Sequence, residues 1–356
     1  MLVWPAKKAL ILKSRSPEKI LNVVPSAKSF SVKGQPLVAV PHRTEETTLL
    51  RNMGYDAPAP IRSYYDWPGR FKPFHAQREA AAFLSMNKRA FNLSELGTGK
   101  SLASLWAYDY LRSIGQMNKA LVISPLSTLE RTWADEIFQH FPHLTYTVLH
   151  GAKDKRIKLL KEDFDVYIIN HDGVGIIEPH LKDRTDIDLV IVDEIAQCAR
   201  NASTTRWRNI NTVVNKHKAP RACWGMSGTP TPNAPTDAWA QCRLVVPDAV
   251  PPYFNRFKGQ VMKQLSQFQW IAKEGATETV REVMQPSVRF TRDECLDLPP
   301  LMYETRQVPL TKDQGKAYKD MLTKLRIQAE EGDITAVNEA VKMGKLVQIA
   351  CGVVYA

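Results

Sequence analysis

The chain has 356 residues, of which 44% are apolar, and a net charge of +11. This length is enough for two domains and a sizeable core, and the basic charge favours a polyanionic partner. No run of about 18 apolar residues exists, which argues against a membrane partner. The five cysteines are scattered without a CxxC pair, as expected for reduced thiols in a cytosolic protein.

The first 65 residues predict a small basic α+β domain. Residues 1–70 contain eleven Lys and Arg against five Asp and Glu, a net charge of +6. A helix is predicted after the β-type runs, with Thr44 as its N-cap. The charge suggests substrate recognition, and a structural brace on the next domain is the alternative. The β-type runs are Leu10–Leu12, Ile20–Val24, Ser29–Val32 and Leu37–Val40.

A linker is predicted at Ala57–Arg70, which is rich in Pro and aromatic residues. From Phe71 onward, apolar β-type runs alternate with helical patterns. This alternation is typical of an α/β fold with a parallel sheet and helices on both faces, in which ligands bind at the carboxyl ends of the strands. The predicted strands are Ala90–Leu93, Ala120–Ser124, Thr145–Leu149, Val166–Asn170, Leu189–Asp193 and Ala222–Ser227.

The stretch SELGTGKS, at Ser94–Ser101, lies between a predicted strand and a predicted helix at Leu102–Leu111. Its glycines allow backbone N–H groups to surround an anion, and the following helix adds its positive end. Lys100 can reach the β- and γ-phosphates of a nucleotide, and the Ser101 hydroxyl can bind magnesium. Ser94 replaces the usual first Gly of this pattern.

A second acidic element follows, because the predicted strand LVIVDE ends at Asp193-Glu194. ATP hydrolysis requires a magnesium ligand and a base for the attacking water. We assign Asp193 to the first role and Glu194 to the second. A strand that ends in two acids is weak as a signal by itself, since it also describes a solvated strand end, but it gains weight from the phosphate loop.

Beyond Pro247 the alternation stops. Phe254–Met284 is predicted to be mainly helical, and a β-type pair is predicted near Ser287–Thr291 and Tyr303–Val308 on either side of LDLPP. Two more helices are predicted, at Lys312–Ala329 and Ile334–Ile349.

Residues 70–356 resemble superfamily 2 helicases, most closely the Swi/Snf-type DNA translocases in the compact form of phages and bacteria. The order and spacing of several short motifs carry the resemblance. These are FKPFHAQREAAAFL (Q motif), SELGTGKS (motif I), ISPLSTLERTW (motif Ia), IINHD (motif Ib), VDEIAQCARNAS (motif II and its extension), MSGTPTPN (motif III), TDAWAQCRLVVP, RDECLDLPPLMYE and LVQIACG.

The resemblance implies a RecA-like fold, ATP and Mg²⁺ as cofactors, and a role for each matching residue. Lys100 and Glu194 would be the catalytic residues, and Ser101 and Asp193 would bind magnesium. The nucleotide would contact Gln77, as adenine reader, and Gly97, Thr98, Gly99, Lys100 and Ser101. Nucleic acid would contact Ser124, Pro125, Ser127, Thr128, Asn170, His171, Arg200 and Asn201. Ser227, Gly228, Thr229 and Pro230 would couple hydrolysis to movement.

The same resemblance sets the expected domains and partners. Residues 66–290 would form the nucleotide-binding lobe with a helical insertion, and residues 291–356 a connector to a second RecA-like lobe. That lobe, in cis or in trans, would supply arginines to the transferring phosphate. Duplex or forked DNA is favoured over RNA, in the cytoplasm of a bacterium or a phage-infected cell.

The sequence departs from the family pattern in motif II, and two other functions remain as alternatives. Ile195 and Ala196 stand where motif II usually has Ala-His, so the histidine that often links the ATP site to motif III is missing. A P-loop kinase of a small molecule is one alternative function, although Gln77 and motif Ia have no role in it. The other is a non-catalytic module in which a lone ATP lobe binds nucleic acid as a switch.

Overall fold

The structure is a computed structural model that describes residues 1–14, 16–181, 184–219, 221–267, 269–295, 302–330 and 336–352. Two units can be distinguished, Met1–Asp297 and Leu298–Ala356. Within the described ranges, no helix combines the length and the apolar character that crossing a membrane requires.

The N-terminal residues form an antiparallel sheet with two helices. The elements are β1 (Leu2–Trp4), β2 (Ala9–Lys13), α1 (Pro17–Val23), β3 (Lys28–Val32), β4 (Gln35–Pro41) and α2 (Thr44–Asn52). The strand order is β1-β2-β4-β3. Alternate residues of β2 and β4 point to one face, where Leu10 and Val40 are buried against Ile20 and Leu50 of the helices. This alternation gives the sheet one packed face.

Two local predictions in this region are wrong. Residues 20–24 were predicted as a strand, but Pro17–Val23 is helical with proline at its first turn. Proline is favoured there, and Ile20 and Val24, four residues apart, are both buried on the sheet, so packing of a helical face overrides β propensity. Thr44 lies inside α2 rather than at its N-cap, which is Arg43.

The segment Ala57–Arg70 is a packed connection rather than a free linker. It contains the short helix α3 (Ile61–Tyr64), and Ile61 and Trp67 are buried in the core of the following sheet. The indole N–H of Trp106 donates to the carbonyl of Pro68 at 2.8 Å. The prolines led to the prediction of a linker, but Ile61 and Trp67 pack the segment against the core of the following sheet.

A seven-stranded, entirely parallel sheet forms the centre of the larger unit, in the order β13-β5-β10-β9-β6-β8-β7. All six strands predicted after residue 71 are present, which confirms the predicted fold class. The strands from residue 89 are β5 (Arg89–Asn92), β6 (Lys119–Ser124), β7 (Tyr146–Val148), β8 (Val166–Asn170), β9 (Ile187–Val192), β10 (Ala222–Met226), the hairpin β11 (Met262–Gln264) and β12 (Trp270–Ala272), and β13 (Ser287–Val288).

Helices cover both faces of this sheet. Along β6, Leu121 and Ile123 belong to one buried cluster, and Ala120 and Val122 belong to the other, because successive side chains point to opposite faces. The helices are α4 (His75–Met86), α5 (Lys100–Ser113), α6 (Asp135–His140), α7 (Lys153–Lys161), α8 (Val174–Ile177), α9 (Ile195–Cys198), α10 (Thr205–Asn215), α11 (Asp237–Val245), α12 (Phe254–Val261), α13 (Ala276–Val283) and α14 (Arg292–Cys295).

The structure corrects the predictions beyond Pro247. The region 254–284 is not continuously helical, because the hairpin β11–β12 separates α12 from α13. Residues 287–288 form a strand, but it pairs in parallel with β5, and residues 303–308 are irregular. The LDLPP stretch, at 296–300, lies outside the described residues. The smaller unit contains the two predicted helices, α15 (Lys312–Glu330) and α16 (Ala336–Ala350).

Candidate functional site

The loop between β5 and α5 contains two glycines in left-handed backbone conformations. Gly97 has φ +85° and Gly99 has φ +76°, values that glycine adopts without the steric penalty of a side chain. A Cβ atom on Gly99 would lie 2.1 Å from Nε2 of Gln77. Gln77 itself accepts a hydrogen bond from the Phe74 backbone N–H at 2.9 Å. The predicted adenine reader therefore lies directly against the loop, and Gly99 leaves the space for it.

The Glu95 carbonyl organises the centre of this loop. It accepts hydrogen bonds from the Lys100 ammonium at 3.1 Å and from the Thr98 hydroxyl at 2.8 Å. Lys100 is only 8% exposed, although it is the first residue of α5. Ser101 follows it with a partly exposed side chain. The lysine is thus folded back onto its own loop, next to the positive end of α5.

Residues after β13 hold the start of the loop. The Ser94 hydroxyl accepts from the Phe290 N–H at 3.1 Å, and the Phe290 carbonyl accepts from the Glu95 N–H at 2.9 Å. The Arg289 guanidinium donates to the Leu93 carbonyl at 3.3 Å. The backbone N–H of Arg292 donates to the Glu95 carboxylate at 3.1 Å. The serine that replaces the usual glycine therefore has a partner of its own.

Asp193 and Glu194 follow β9 at the same edge of the sheet, because parallel strands all end on one side. The Asp193 N–H donates to the Ile123 carbonyl of the neighbouring strand at 2.8 Å. Its carboxylate accepts from the Trp133 indole at 3.0 Å and from the Glu194 N–H at 3.0 Å. Glu194 has φ +45°, which is uncommon for a residue other than glycine and clusters at functional sites.

The charges of the loop and of the acidic pair influence one another. Burial lowers the pKa of Lys100, and the carboxylates of Glu194 and then Asp193 oppose that shift. Burial also raises the pKa of Asp193, against the hydrogen bond from Trp133. The pKa of Glu194 is raised first by burial and then by repulsion from Asp193. The fold therefore brings a buried ammonium and two carboxylates, 93 positions apart in sequence, into one electrostatic site.

His171, predicted to contact nucleic acid, is buried beside the acidic pair. Its Nε2 lies 2.8 Å from the Asp193 carbonyl. Because a carbonyl oxygen can only accept, Nε2 is protonated and donates this hydrogen bond. Burial lowers its pKa, which favours the neutral ring. Its preceding residue, Asn170, accepts from the Arg156 guanidinium at 3.1 Å. The structure therefore directs His171 toward motif II rather than toward solvent.

Motif III lies against the phosphate loop. A Cβ atom on Gly228 would lie 3.2 Å from the backbone nitrogen of Leu96. Ser227 is fully buried, and its hydroxyl accepts from the Thr229 N–H at 3.2 Å. The Pro230 carbonyl accepts from Gln241 at 2.6 Å. Motif III, predicted to couple hydrolysis to movement, therefore contacts the phosphate loop at Gly228.

An apolar contact connects motif II to the same strand. Ile195 is buried, and its Cδ1 lies 2.9 Å from where a Cβ atom on Gly225 of β10 would be placed. Isoleucine therefore packs against the strand that leads into motif III, in a motif that lacks the usual histidine.

Most of the other residues predicted to contact nucleic acid lie at two places on the surface, whereas Ser124 lies in the core. Ser127 is exposed after β6, and the hydroxyl of the partly exposed Thr128 donates to the Pro125 carbonyl at 3.0 Å. Arg200 and Asn201 are exposed beyond α9. Ser124, in contrast, is fully buried, so its side chain is not presented to a ligand.

Several residues that shape the site have no role in the motif-based prediction. Trp133 and Glu95 lie within quoted motifs, but nothing local indicates that one binds the Asp193 carboxylate and the other holds Lys100. Arg289 and Phe290 lie outside every quoted motif. The signal that could have found them is long-range pairing, since 196 positions separate Phe290 from Ser94.

Comparison with known families places this geometry in context. A sequence profile described as the SNF2-related domain matches residues 77–350. The chain belongs to the SNF2-related domain family. Membership implies a helicase-like ATPase core, that is, a nucleotide-binding motor domain that uses ATP.

Individual relatives agree with this assignment. The SNF2-related chain is 26% identical over 280 residues to protein p41 of Acyrthosiphon pisum secondary endosymbiont phage 1, covering 75% of this chain and 61% of that protein. It is 28% identical over 257 residues to the ISWI chromatin-remodeling complex ATPase ISW2 of Saccharomyces cerevisiae, covering 69% of this chain and 21% of that protein. The chain thus spans about three fifths and one fifth of the two relatives.

The fold also matches a solved structure, the Sulfolobus solfataricus SWI2/SNF2 ATPase core in complex with dsDNA. The TM-score is 0.55 at 20% identity, and the match covers 80% of this chain and 59% of that one. This likeness confirms the RecA-like fold of the SNF2-related chain.

Proposed function

We propose that this chain supplies the ATP-binding and hydrolysing lobe of a DNA translocase. The observation that carries the proposal is the meeting of Lys100 with Asp193 and Glu194 at the carboxyl edge of the parallel sheet. Burying charged groups is costly, and buried charges with shifted pKa values are typical of functional sites. A small-molecule kinase does not need Gln77 or motif III, both of which pack on the loop.

The residues present suit a nucleotide bound with magnesium. The backbone of Gly97 and Gly99 curves as an anion cradle requires, and Gly99 has no space for a side chain. The Ser101 hydroxyl and the Asp193 carboxylate are the oxygen donors that magnesium prefers. When bound, magnesium supplies charge neutralisation on the phosphate oxygens. We assign the phosphates to Gly97, Thr98, Gly99 and Lys100, the metal to Ser101 and Asp193, and the base edge to Gln77.

Each catalytic role follows from the local environment. Lys100 must leave the Glu95 carbonyl to bind a phosphate, which exchanges a hydrogen bond to a neutral acceptor for one between two charged groups. Trp133 fixes the orientation of the Asp193 carboxylate. Glu194, with its raised pKa, is suited to take a proton from water, because a base works best when its pKa lies nearer the working pH.

DNA is the nucleic acid that we propose for this motor. The exposed Ser127 and the partly exposed Thr128, Pro125 and Asn170 lie at the ends of β6 and β8, and Arg200 and Asn201 lie beyond β9. Hydroxyl, amide and guanidinium groups are the donors that contact backbone phosphates. The Sulfolobus neighbour was solved with dsDNA, which supports duplex or forked DNA over RNA.

The domain boundaries remain part of the proposal. We assign residues 66–290 to the nucleotide-binding lobe and residues 291–356 to a connector leading to a second lobe, in cis or in trans. That lobe would provide the arginines for the transferring phosphate, a contribution of about 10³–10⁵ in rate. The alternative is that residues 1–356 act as an ATP-switched DNA-binding module without catalysis.

Two substitutions test the nucleotide site. Lys100→Ala should abolish binding of a fluorescent ATP analogue, because it removes the main point charge on the phosphates. Glu194→Gln should keep that binding and stop turnover in a two-lobed version of the protein. Lys72→Ala, at an exposed lysine outside the loop, is the control and should change neither. Normal turnover by Glu194→Gln would show that the base is another residue.

The ATPase rate with and without DNA separates the motor from the module. We expect the 356-residue chain alone to bind ATP and turn it over slowly, with little response to DNA. Addition of the second lobe should raise turnover by orders of magnitude and make it depend on DNA. Strong DNA-stimulated turnover by the 356-residue chain alone would contradict the assignment of the missing arginines to a second lobe.

A further inference from the structure

A basic pocket lies on the small N-terminal sheet, on a part of the chain to which the ATP site assigns no role. Its volume is about 320 Å³. Four cations line it, together with Ser26 and His42, and no carboxylate does. The cations are Lys7, Lys8, Lys28 and Arg43.

The cations of this basic pocket have no acidic partners among the residues that the structure describes. All four side chains belong to exposed residues, and none forms an ion pair with any residue in the described ranges. Lys8 places its ammonium 5.9 Å from the centre of the Tyr64 ring. Glu46 does not line the pocket, but its carboxylate accepts from the Ser26 hydroxyl at 3.0 Å. The four like charges that line the pocket repel one another, and a bound anion would relieve that repulsion.

The fold holds these charges in fixed places. Lys28 lies on β3 opposite Ala39 of β4, and Ala9 of β2 lies opposite Pro41 of β4. The backbone at Lys8 has φ +46°, and its carbonyl accepts from the His42 N–H at 2.8 Å. The cations come from three separate segments, at residues 7–8, 28 and 43. The register of the strands, and not proximity in sequence, places them in one concavity.

His42 forms a rigid and neutral floor for the pocket. It is 2% exposed, with Nε2 at 2.8 Å from the Pro58 carbonyl and Nδ1 at 2.9 Å from the Tyr64 hydroxyl. The Nε2 nitrogen donates to the carbonyl, and in the neutral ring Nδ1 accepts a hydrogen bond from the tyrosine hydroxyl. Burial lowers the pKa of this ring. The floor thus adds no charge but ties the small sheet to the packed connection that follows it.

The start of α2 adds backbone donors at the same place. Arg43 is its N-cap residue, and no side chain caps the first turn. The N–H groups at the beginning of this nine-residue helix can donate to an anion, and Glu45 and Glu46 in its first turn offset part of its positive end. Guanidinium, ammonium and backbone N–H groups together make the donor set that phosphate oxygens accept.

We propose that this basic pocket binds the phosphate backbone of DNA, with about one phosphate contact per cation, as a contact separate from the nucleic-acid contacts proposed on the RecA-like lobe. The inference takes DNA as the partner from the proposed function, and it assigns residues 1–65 to substrate recognition. An acidic peptide suits the pocket less, because the lining offers small apolar side chains and no deep apolar anchor. Each phosphate contact should contribute about 0.9 to the slope of log K against log salt.

The test compares two triple variants with the same charge change on the same small domain. Lys7→Gln/Lys28→Gln/Arg43→Gln removes cations from the pocket but leaves Lys8, which packs on Tyr64. Lys13→Gln/Lys19→Gln/Lys33→Gln is the matched control, at exposed lysines outside the pocket. Binding of a labelled 30-base-pair duplex by the full chain is measured from 50 to 200 mM salt. Thermal midpoints and binding of a fluorescent ATP analogue check the fold.

We expect the salt slope of the pocket variant to fall by about 2 to 3 units, with a loss of affinity of about tenfold or more at 50 mM salt. The matched control should fall by less than about 1 unit. Lys28→Gln alone, a change at an exposed position, should lower the slope by about 1 unit even if the triple variant is unstable.

Two results would overturn the inference while leaving the proposed motor intact: equal losses in both triple variants, or an unchanged slope in the pocket variant. Failure of the wild-type chain to bind any duplex would overturn the DNA partner of the proposed function itself, and the pocket assignment with it.

Discussion

A double-mutant cycle between Gly99 and Gln77 tests how the phosphate loop is built. Gly99→Ala places a Cβ atom 2.1 Å from Nε2 of Gln77, at a residue with φ +76°. The left-handed backbone costs alanine about 1–2 kcal/mol. The Gln77 side chain must also move, which breaks its hydrogen bond from the Phe74 N–H, worth about 0.5–1.5 kcal/mol. We therefore expect Gly99→Ala to lower the free energy of unfolding by about 2–3 kcal/mol.

The same substitution should cost less when Gln77 is truncated. In the Gln77→Ala background, only the backbone cost remains, about 1–2 kcal/mol. The coupling energy of the cycle should therefore be about 1 kcal/mol. Gly97→Ala is the matched control, because its φ is +85° and no atom lies within 4 Å of the added Cβ. It should cost about 1–2 kcal/mol in both backgrounds.

The assay is urea unfolding followed by tryptophan fluorescence, since Trp106, Trp133 and Trp224 are buried around the same sheet. Midpoints are compared only if the slope against urea stays the same, because a changed slope indicates altered unfolding behaviour. An equal cost of Gly99→Ala in both backgrounds would refute the close packing of Gln77 on the loop. A coupling at Gly97 as large as at Gly99 would refute it as well.

Three further substitutions test contacts that only the tertiary structure provides. Trp133→Phe should lower the unfolding free energy by about 1.5–3 kcal/mol, because the buried Asp193 carboxylate loses a donor, and it should also slow turnover. Ser94→Gly restores the usual pattern, yet it should cost about 1–2 kcal/mol, because the Phe290 N–H loses its acceptor. Arg221→Met should cost about 3 kcal/mol or more, because four backbone carbonyls lose their buried donor. Urea unfolding measures all three, and the ATPase rate of a two-lobed version measures turnover.

Each of these substitutions has a control. Trp239→Phe removes an indole hydrogen bond to Pro251 and should cost about 1 kcal/mol without affecting nucleotide binding. Ser94→Ala removes the hydroxyl without the backbone freedom of glycine, so most of the loss should persist. Arg208→Met changes an exposed arginine on α10 and should stay within about 0.5 kcal/mol of the wild type. A Ser94→Gly variant as stable as the wild type would contradict the contact with Phe290.

The central sheet and the phosphate loop could be predicted because their signals are local. Val166–Asn170 was predicted with the bounds that the structure has, since a buried parallel strand is a continuous apolar run. The loop at Ser94–Ser101 is contiguous, and a strand and a helix flank it as its chemistry requires. Ile20–Val24 failed because apolar residues four apart suit a helix as well as a strand, and only packing on the small sheet decided between them.

The sequence by itself determined the fold class and the family, and it predicted the residues of the candidate ATP site. Only the tertiary structure decided how those residues are held, because their partners are distant in sequence. A β-type run was predicted near strand β13, but nothing local indicated its partner; its pairing with β5 brings Phe290 to Ser94 across 196 positions. The N-terminal charge was visible in the composition, but strand register alone gathered Lys8, Lys28 and Arg43 into one pocket. The composition gives only the number of charges, whereas backbone hydrogen bonding between the strands determines where those charges lie in space.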